Sequence, residues 1–239
     1  MSLYVFGDSF STPGFCVEPK DSFWGATGKD LGVDKVVNYS HLGYSFDQII
    51  HLLCNEQFDF RDSYFLIGIP PIERLAFFED SVNLKKQPAR TFDADFEQTS
   101  ITTDCVNGLN QYEYIEIFDK EKKFLSKYNY QWTEIQTCDK ILLLHGYLKY
   151  QQAKFIITNL FVPFRYDDQW PLSRSVMSQL KQLKECVLFD DTYYSVNAED
   201  KIQSVDREPG NYMGHHGAKG NANWYNKVIR PKMEELGWL

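Results

Sequence analysis

The feature that most constrains the fold is an alternation of short apolar runs with longer amphipathic segments along the chain. The apolar runs predict strands at 3–6, 35–38, 64–69, 155–161 and 187–189. The segments between them predict helices at 21–31, 45–56, 133–152, 173–183 and 221–236, the last one broken or bent near Pro231. Because strands and helices alternate, the sequence predicts a mostly parallel five-stranded sheet with helices on both faces, a three-layer α/β/α sandwich.

The size and charge of the chain limit its organisation and its partners. Its 239 residues suffice for one large domain or two small ones. It carries 25 Lys and Arg against 33 Asp and Glu, a net charge of −8. An acidic chain repels phosphate, so we expect no nucleic-acid partner.

A long excursion separates the third predicted strand from the long helix, at about 82–132. It begins polar and becomes rich in aromatic residues, seven of which lie close together: Tyr112, Tyr114, Phe118, Phe124, Tyr128, Tyr130 and Trp132. Such an insertion is typical of a lid, a binding surface or a small subdomain. The alternative is irregular packing over one edge of the sheet.

The expected location follows from what the sequence lacks. No apolar run reaches the length that spans a bilayer, and the start of the sequence has no signal-peptide pattern. The five cysteines are scattered without a Cys-x-x-Cys pair, as expected for reduced thiols. We therefore expect a cytoplasmic protein without a membrane partner, or a virion-associated one assembled inside a cell.

A first candidate site lies where the first predicted strand ends, at Gly7-Asp8-Ser9. Open α/β sheets bind ligands at the carboxyl ends of their strands. A serine on a tight turn there presents its hydroxyl and its backbone N–H to the same small volume. The alternative is an ordinary turn, in which Asp8 and Ser9 only satisfy nearby backbone groups.

A second candidate site is the glycine-rich loop that carries His215 and His216, just before the last helix. Imidazole is the usual general base for a serine nucleophile because its pKa lies near neutral pH. Adjacent histidines also suggest a metal, but no further ligand stands at a suitable spacing in the sequence. We therefore expect no metal and no cofactor, and polar loop histidines without a role remain an alternative.

Taken in order, these segments resemble the SGNH (GDSL-type) hydrolase superfamily. Its first block resembles Val5-Phe-Gly-Asp-Ser-Phe-Ser11. Its second block supplies a glycine after the second strand, where this chain has Gly43. Its last block has a histidine followed five residues later by glycine, a spacing that His215 and Gly220 share. Because these segments come from both ends of the chain, we expect one domain over 1–239 and an SGNH-hydrolase or flavodoxin-like fold.

The resemblance implies roles for individual residues. Ser9 would be the nucleophile, and His215 would take its proton and return it to the leaving group. The backbone N–H groups of Ser9 and Gly43 would form the oxyanion hole. His216 would be the weaker candidate for the base, because the glycine spacing favours its neighbour.

Two departures from the family pattern put activity in question. The family places an oxyanion-donating asparagine after its third strand, where this chain has Pro70, which has no donor. Arg74 and Asn159 are candidate substitutes. The acid that orients the histidine usually lies two or three residues before it, where this chain has Tyr212 and Met213. Asp206 or Glu208, or a backbone carbonyl, would then take that role.

Two function classes follow from these residues. The first is a serine ester hydrolase that acts on acyl or acetyl esters of small molecules or glycans, and the aromatic insertion favours a sugar carrier. The second is a catalytically degenerate module on the same fold, which binds a glycan or a protein partner. A flavodoxin-like nucleotide binder fits less well, because residues 7–14 follow no dinucleotide glycine pattern. The sequence gives no oligomeric state.

Overall fold

The structure is a computed structural model of the 239-residue chain. It describes residues 1–42, 44–70, 89–96, 98–102, 130–160, 171–189, 191–206 and 214–239. The candidate residues Gly43, Arg74 and Glu208 lie outside these ranges, as does most of the aromatic insertion.

One seven-stranded sheet organises the described residues, in the order β5-β4-β2-β1-β3-β6-β7. The strands are β1 (Ser2–Phe6), β2 (Lys35–Asn38), β3 (Ser63–Ile69), β4 (Ala89–Asp93), β5 (Gln98–Thr102), β6 (Lys154–Asn159) and β7 (Cys186–Val187). The five predicted strands form the parallel part, and β4 and β5 from the insertion extend one edge as an antiparallel pair. The mostly parallel α/β sheet is as predicted, with two strands added.

Helices cover both faces of this sheet, as the three-layer prediction requires. They are α1 (Phe23–Asp30), α2 (Phe46–Asn55), α3 (Tyr130–Tyr150), α4 (Pro171–Leu180), α5 (Tyr193–Glu199), α6 (Ala218–Trp224) and α7 (Arg230–Glu235). A 3-10 turn, Pro19–Asp21, precedes α1. Within the ranges described, no helix combines the length and the apolar character needed to cross a membrane.

The central strands alternate between two hydrophobic cores. Leu3 and Val5 of β1 point into the core shared with α1, α5, α6 and α7. Phe6 of the same strand points into the opposite core, which α2, α3 and α4 cover. All of these side chains are fully buried. The sheet is therefore buried on both sides, as a parallel sheet must be.

Local sequence explains where α2 begins. The Ser45 side chain accepts a hydrogen bond from the Gln48 backbone N–H, and the Gln48 side chain accepts one from the Ser45 backbone N–H. This reciprocal pair is a capping box, which satisfies amide groups that the first turn of a helix leaves free. Ile49 and Leu53 then lie on the buried face. The helix thus starts directly after the segment that links β2 to the candidate site.

Part of the aromatic content packs in the core rather than in the insertion. The Phe6 and Tyr39 rings stack with centroids 5.1 Å apart, and Phe58 meets both rings edge-on. Tyr4 and Phe65 extend this group across neighbouring strands, with centroids 5.2 Å apart. The side chains of the seven insertion rings lie outside the described residues, so their predicted role stays a prediction.

The last helical segment is irregular, as the proline near its centre predicts. Between α6 and α7 the chain forms a π-helical turn, Tyr225–Ile229. Pro231 lies in the first turn of α7 and has no backbone N–H to donate to the preceding turn. The wider turn before it lets the chain continue as a helix without that hydrogen bond.

Candidate active site

Ser9 lies on a tight turn that Asp8 stabilises. The Asp8 carbonyl accepts hydrogen bonds from the Ser11 N–H at 3.0 Å and the Thr12 hydroxyl at 2.9 Å. Its carboxylate accepts one from the Phe10 N–H at 3.2 Å. Asp8 is fully buried and serves the turn, so the Ser9 hydroxyl is left for other partners.

Gly7 lies at a closely packed position at the start of this turn. A Cβ atom there would lie 2.6 Å from the Ser11 Oγ, closer than Cβ atoms come to other heavy atoms, so the Ser11 side chain would have to move. The Gly7 carbonyl also accepts a hydrogen bond from the His41 N–H at 3.3 Å, which links the turn to the segment after β2. The packing and hydrogen bonds of the turn thus account for Gly7 and Asp8.

Asn38, which the sequence analysis did not single out, connects the two loops of the site. Its side-chain amide donates to the Ser11 carbonyl at 2.8 Å, and its oxygen accepts from the Ser40 N–H at 2.7 Å. It is buried at the end of β2. The sequence signal for Asn38 was a polar residue at the end of an apolar strand, because a buried side-chain amide needs hydrogen-bond partners.

His215 lies between Ser9 and Asp206. Its Nε2 atom is 2.7 Å from the Ser9 Oγ, and its Nδ1 atom is 2.5 Å from the Asp206 Oδ2. The other Asp206 oxygen accepts from the His215 backbone N–H at 2.7 Å. The neighbouring Val205 N–H donates to the His215 carbonyl at 2.8 Å, so the two segments run side by side. The loop therefore folds back so that Asp206 reaches the imidazole.

The charge of Asp206 determines which nitrogen of His215 carries a proton. Partial burial raises the pKa of Asp206, but the hydrogen bonds from the ring and the backbone of His215 outweigh it and lower the pKa overall. The carboxylate is therefore ionised at neutral pH and can only accept hydrogen bonds. In the neutral imidazole the proton then lies on Nδ1, which leaves Nε2 to accept a hydrogen bond from the Ser9 hydroxyl.

Two aromatic rings flank the His215 imidazole. The Phe10 ring stacks on it with centroids 4.6 Å apart, and the Phe15 ring meets it edge-on at 4.7 Å. The His215 side chain keeps 22% of its surface exposed, so the imidazole is held in place and still reached from solvent.

His216 points into the interior instead. Its ring faces Tyr193, with centroids 5.3 Å apart, and the side chain is buried. Burial lowers the pKa of His216, which disfavours its charged form. A Cβ atom on Gly220 would lie 2.2 Å from the His216 Cβ. The histidine-to-glycine spacing therefore reflects packing of α6 against His216, while His215 faces Ser9.

The remaining candidates differ in what the structure shows. Asn159 is buried at the end of β6, and its amide donates to the Leu188 carbonyl at 3.4 Å, on the far side of β6 from β1. Pro70 is buried directly after β3. Gly43, Arg74 and Glu208 lie outside the described residues, so the structure does not locate the second oxyanion donor.

One group of side chains in the described part of the chain could hold a metal ion. It consists of Cys16, Asp206 and His215, whose ligand atoms all lie within 4.8 Å of one another. The group shares two residues with the candidate active site.

Comparisons with known proteins add similar folds at low sequence identity. No family model and no curated protein matches the chain. A lipase from a goat rumen metagenome is 13% identical with a TM-score of 0.48, and the match covers 97% of each chain. A member of the lipolytic G-D-S-L family from Veillonella parvula DSM 2008 is 14% identical with a TM-score of 0.45, over 96% of each chain.

A third solved structure is an acetyl xylan esterase from the rumen bacterium Butyrivibrio proteoclasticus. It is 13% identical with a TM-score of 0.44, and the match covers 100% of this chain and 65% of the esterase. What the chain shares with these three structures is a similar fold at low sequence identity.

Proposed function

We propose that the protein is a serine ester hydrolase in which Ser9 is the nucleophile. The observation that carries the proposal is the continuous chain of hydrogen bonds from the Ser9 Oγ through the imidazole of His215 to Asp206, at 2.7 and 2.5 Å. The 2.7 Å between the Ser9 Oγ and the His215 Nε2 is a distance at which a base takes a proton from a hydroxyl. Ser9 lies at one end of the sequence and His215 and Asp206 lie near the other, so a chance contact within a local turn does not explain these hydrogen bonds.

The proposed reaction proceeds through an acyl-enzyme. The Ser9 Oγ attacks the ester carbonyl carbon while Nε2 of His215 takes the hydroxyl proton. Asp206 stabilises the imidazolium that forms and keeps the ring in the orientation that favours transfer. The proton then passes to the departing alcohol. Water attacks the acyl-enzyme in the same way, which releases the acid and restores Ser9.

The oxyanion of the tetrahedral intermediate would be bound by backbone groups. The Ser9 N–H donates no hydrogen bond to any residue within the described ranges, so it is available for this role. The N–H of Gly43 is proposed as the second donor from the family resemblance. Pro70 supplies none, and the loss of one oxyanion donor typically lowers the rate by about 10²–10³. We therefore expect a slow enzyme.

The proposed substrates are uncharged carboxylic esters of small molecules or glycans. The net charge of −8 disfavours anionic substrates. Acetyl and longer acyl groups both remain within the proposal.

The direct test is hydrolysis of short-chain aryl esters by the wild type and by Ser9→Ala. We expect chromophore release by the wild type and a loss of about 10⁴-fold or more in kcat/KM for Ser9→Ala. Ser11→Ala is the matched control, since the Ser11 hydroxyl lies in the same turn but makes no hydrogen bond to the described residues. Equal turnover by Ser9→Ala and the wild type would remove Ser9 from the mechanism.

The alternative, a catalytically degenerate module that binds a glycan or a protein, is favoured by Pro70. It predicts saturable binding of an acetylated glycan or a protein ligand with no turnover of any ester. A serine-reactive phosphonate separates the two functions. Labelling at Ser9, detected by mass spectrometry, supports the hydrolase, while an unlabelled Ser9 in folded protein supports the binding module.

A further inference from the structure

We propose that Cys16, Asp206 and His215 form a zinc-binding site through which the metal reversibly inhibits the protein. The inhibitory effect rests on the proposed hydrolase function, whereas metal binding does not. Cys16 lies more than 180 residues from the other two in the sequence, and the structure brings one ligand atom of each within 4.8 Å of the others.

The geometry is close to that of a zinc site. Zinc bonds of about 2.0–2.3 Å in a tetrahedron place neighbouring ligand atoms about 3.3–3.8 Å apart. The separations here, at most 4.8 Å, require a closure of about 1 Å. Rotation of the Cys16 side chain supplies this closure. The Nδ1 atom of His215 and the Asp206 Oδ2, now 2.5 Å apart, must in turn separate by about 0.8–1.3 Å as zinc replaces the proton between them.

Backbone contacts fix Cys16 beside the pair. Cys16 has a left-handed backbone with a φ of 63°, a conformation uncommon for residues other than glycine. Its carbonyl lies 3.5 Å from the position a Cβ on Gly217 would occupy, so the Cys16 loop packs against the chain just after His215. Cys16 is partly exposed, which gives an ion a path from solvent.

The ligand set suits zinc in particular. Thiolate, imidazole and carboxylate are the three side-chain ligands that zinc takes in proteins, and soft thiolate disfavours Mg²⁺ and Ca²⁺. The Nδ1 atom of His215 faces Asp206, while Nε2 faces Ser9. Zinc would therefore replace the Nδ1 proton. That proton and the thiol proton pass to solvent, and a water completes the tetrahedron.

Occupation of this site would stop proton transfer at Ser9. Asp206 would bind the metal instead of supporting the imidazole, and the adjacent zinc charge would oppose formation of an imidazolium. Nε2 would then be a poor base for the Ser9 hydroxyl. Removal of the metal by a chelator restores the hydrogen bonds of the metal-free site, so the inhibition is reversible.

The binding test uses Co²⁺ as a spectroscopic substitute for zinc. We expect the full-length wild type to show thiolate-to-cobalt charge-transfer absorption that zinc displaces. Cys16→Ser should lose this absorption, and Cys54→Ser, which removes an exposed thiol elsewhere, should keep it. Absence of the band in the wild type, or its persistence in Cys16→Ser, overturns the site.

The activity test titrates zinc into the aryl-ester assay, with each variant normalised to its own metal-free rate. We expect inhibition of the wild type and of Cys54→Ser, reversed by EDTA. Loss of a residue that only hydrogen-bonds to a metal ligand typically lowers metal affinity by about 10–100-fold. Loss of a direct ligand in Cys16→Ser should therefore weaken inhibition by at least about tenfold. Equal inhibition of Cys16→Ser and wild type overturns the inhibitory role.

The two tests also separate the proposals. A wild type that shows the cobalt band but hydrolyses no ester supports the metal site and contradicts the hydrolase. Ester hydrolysis that Ser9→Ala abolishes, in a protein without the cobalt band, supports the hydrolase and contradicts the metal site.

Discussion

Asp206 makes two hydrogen bonds to a single residue, one to the ring of His215 and one to its backbone N–H. It therefore fixes both the rotation of the imidazole and the path of the chain that carries it. A bidentate contact of this kind lets a partly exposed carboxylate hold a ring firmly.

Replacement of Asp206 tests its role in the proposed mechanism. Asp206→Asn keeps the side-chain shape but removes the charge that supports the imidazolium, so we expect kcat to fall by about 10²–10⁴ with little change in KM. Steady-state kinetics on an aryl ester measure this. Asp200→Asn is the control, because Asp200 pairs with Lys227 and should leave kcat unchanged when replaced. Wild-type kcat in Asp206→Asn would assign the orienting role to another group.

At the level of residues, the sequence predicted the candidates that are fixed by local pattern. Ser9 was recognisable because a strand feeds a glycine turn, and His215 because a glycine follows at a set distance. Asp206 was named only as one of two acids, since its contact depends on a loop that folds back. Asn38 was missed although it closes an apolar strand, since its hydrogen bond to the Ser11 carbonyl spans 27 positions. Cys16 was not singled out, because Asp206 and His215 lie far from it in the sequence.

Among the elements, α6 can begin so close to His216 because Gly220 has no side chain. Gly220→Ala puts a methyl group against the His216 Cβ, so we expect the free energy of unfolding to fall by about 1–3 kcal/mol. Because displacing His216 also moves its neighbour His215, kcat should fall together with the stability. Chemical denaturation and aryl-ester kinetics measure the two effects.

Gly146→Ala is the matched control for Gly220→Ala. Gly146 lies within α3, and outside its own helical turn no atom of the described residues comes within 4 Å of the added methyl group. Alanine there should stabilise the helix by about 0.5–1 kcal/mol and leave kcat unchanged. Equal stability of the two variants would show that the contact at His216 does not constrain the site.

Glu185 connects α3 to the segment that leads into β7. Its carboxylate lies 2.9 Å from the ring of His145 and 2.9 Å from the Lys149 ammonium. Burial alone would raise the pKa of Glu185, but the hydrogen bonds from Lys149 and His145 outweigh it and lower the pKa to about 2. Because folding lowers the pKa of Glu185, its carboxylate makes the stability of the protein depend on pH.

The predicted effect of Glu185→Gln follows from the sign of that shift. A carboxyl whose pKa is lowered on folding contributes stability above its unfolded pKa of 4.5, and the contribution is lost as pH falls toward 2. At pH 7 we expect the variant to be less stable by about 1–2 kcal/mol, after allowance for the exposed Lys149. The difference should shrink between pH 4.5 and pH 3.

Urea unfolding across that pH range measures the Glu185 effect. Glu235→Gln is the control, since it removes an exposed carboxylate that pairs with Lys232 and should cost no more than about 0.5 kcal/mol. A wild-type advantage over Glu185→Gln that grows on acidification would reverse the proposed sign.

The sequence predicted the elements that carry a strong hydrophobic pattern. β3 and β6 are buried on both faces, so their apolar runs are continuous and unambiguous. β4 and β5 were missed because both are largely polar and lie within the insertion, and β5 forms the edge of the sheet. α5 was missed because seven residues are too few for a helical period to stand out.

For the whole molecule, we propose that residues 1–239 form a single domain. Trp24 and Trp224 are both buried in the core that joins α1 to α6, so their fluorescence reports on contact between the two ends of the chain. We expect this fluorescence and the aryl-ester activity to fall with the same midpoint in urea. Separate midpoints would divide the molecule into independently folding parts.

The strand order could not be read from the sequence in the same way as the strands themselves. Alternating helices and strands predict a parallel sheet, but many orders satisfy that pattern. Here the sheet grows from β1 in both directions, and β4 returns antiparallel beside β2. Such pairing depends on which segments of the chain lie next to each other in the fold, and the period of the hydrophobic pattern does not indicate this.

The hydrogen bond from Ser9 to His215 also has a kinetic consequence. It joins residues 206 positions apart, and bringing such distant segments together in an unfolded chain costs about 5 kcal/mol of loop-closure entropy. Contacts of high sequence separation form late and slow the folding of a protein. Ser9, the proposed nucleophile, would therefore lack its hydrogen bond to His215 while the rest of the chain gains structure. During refolding, the return of hydrolysis would report when the last long-range contact forms rather than when the core collapses.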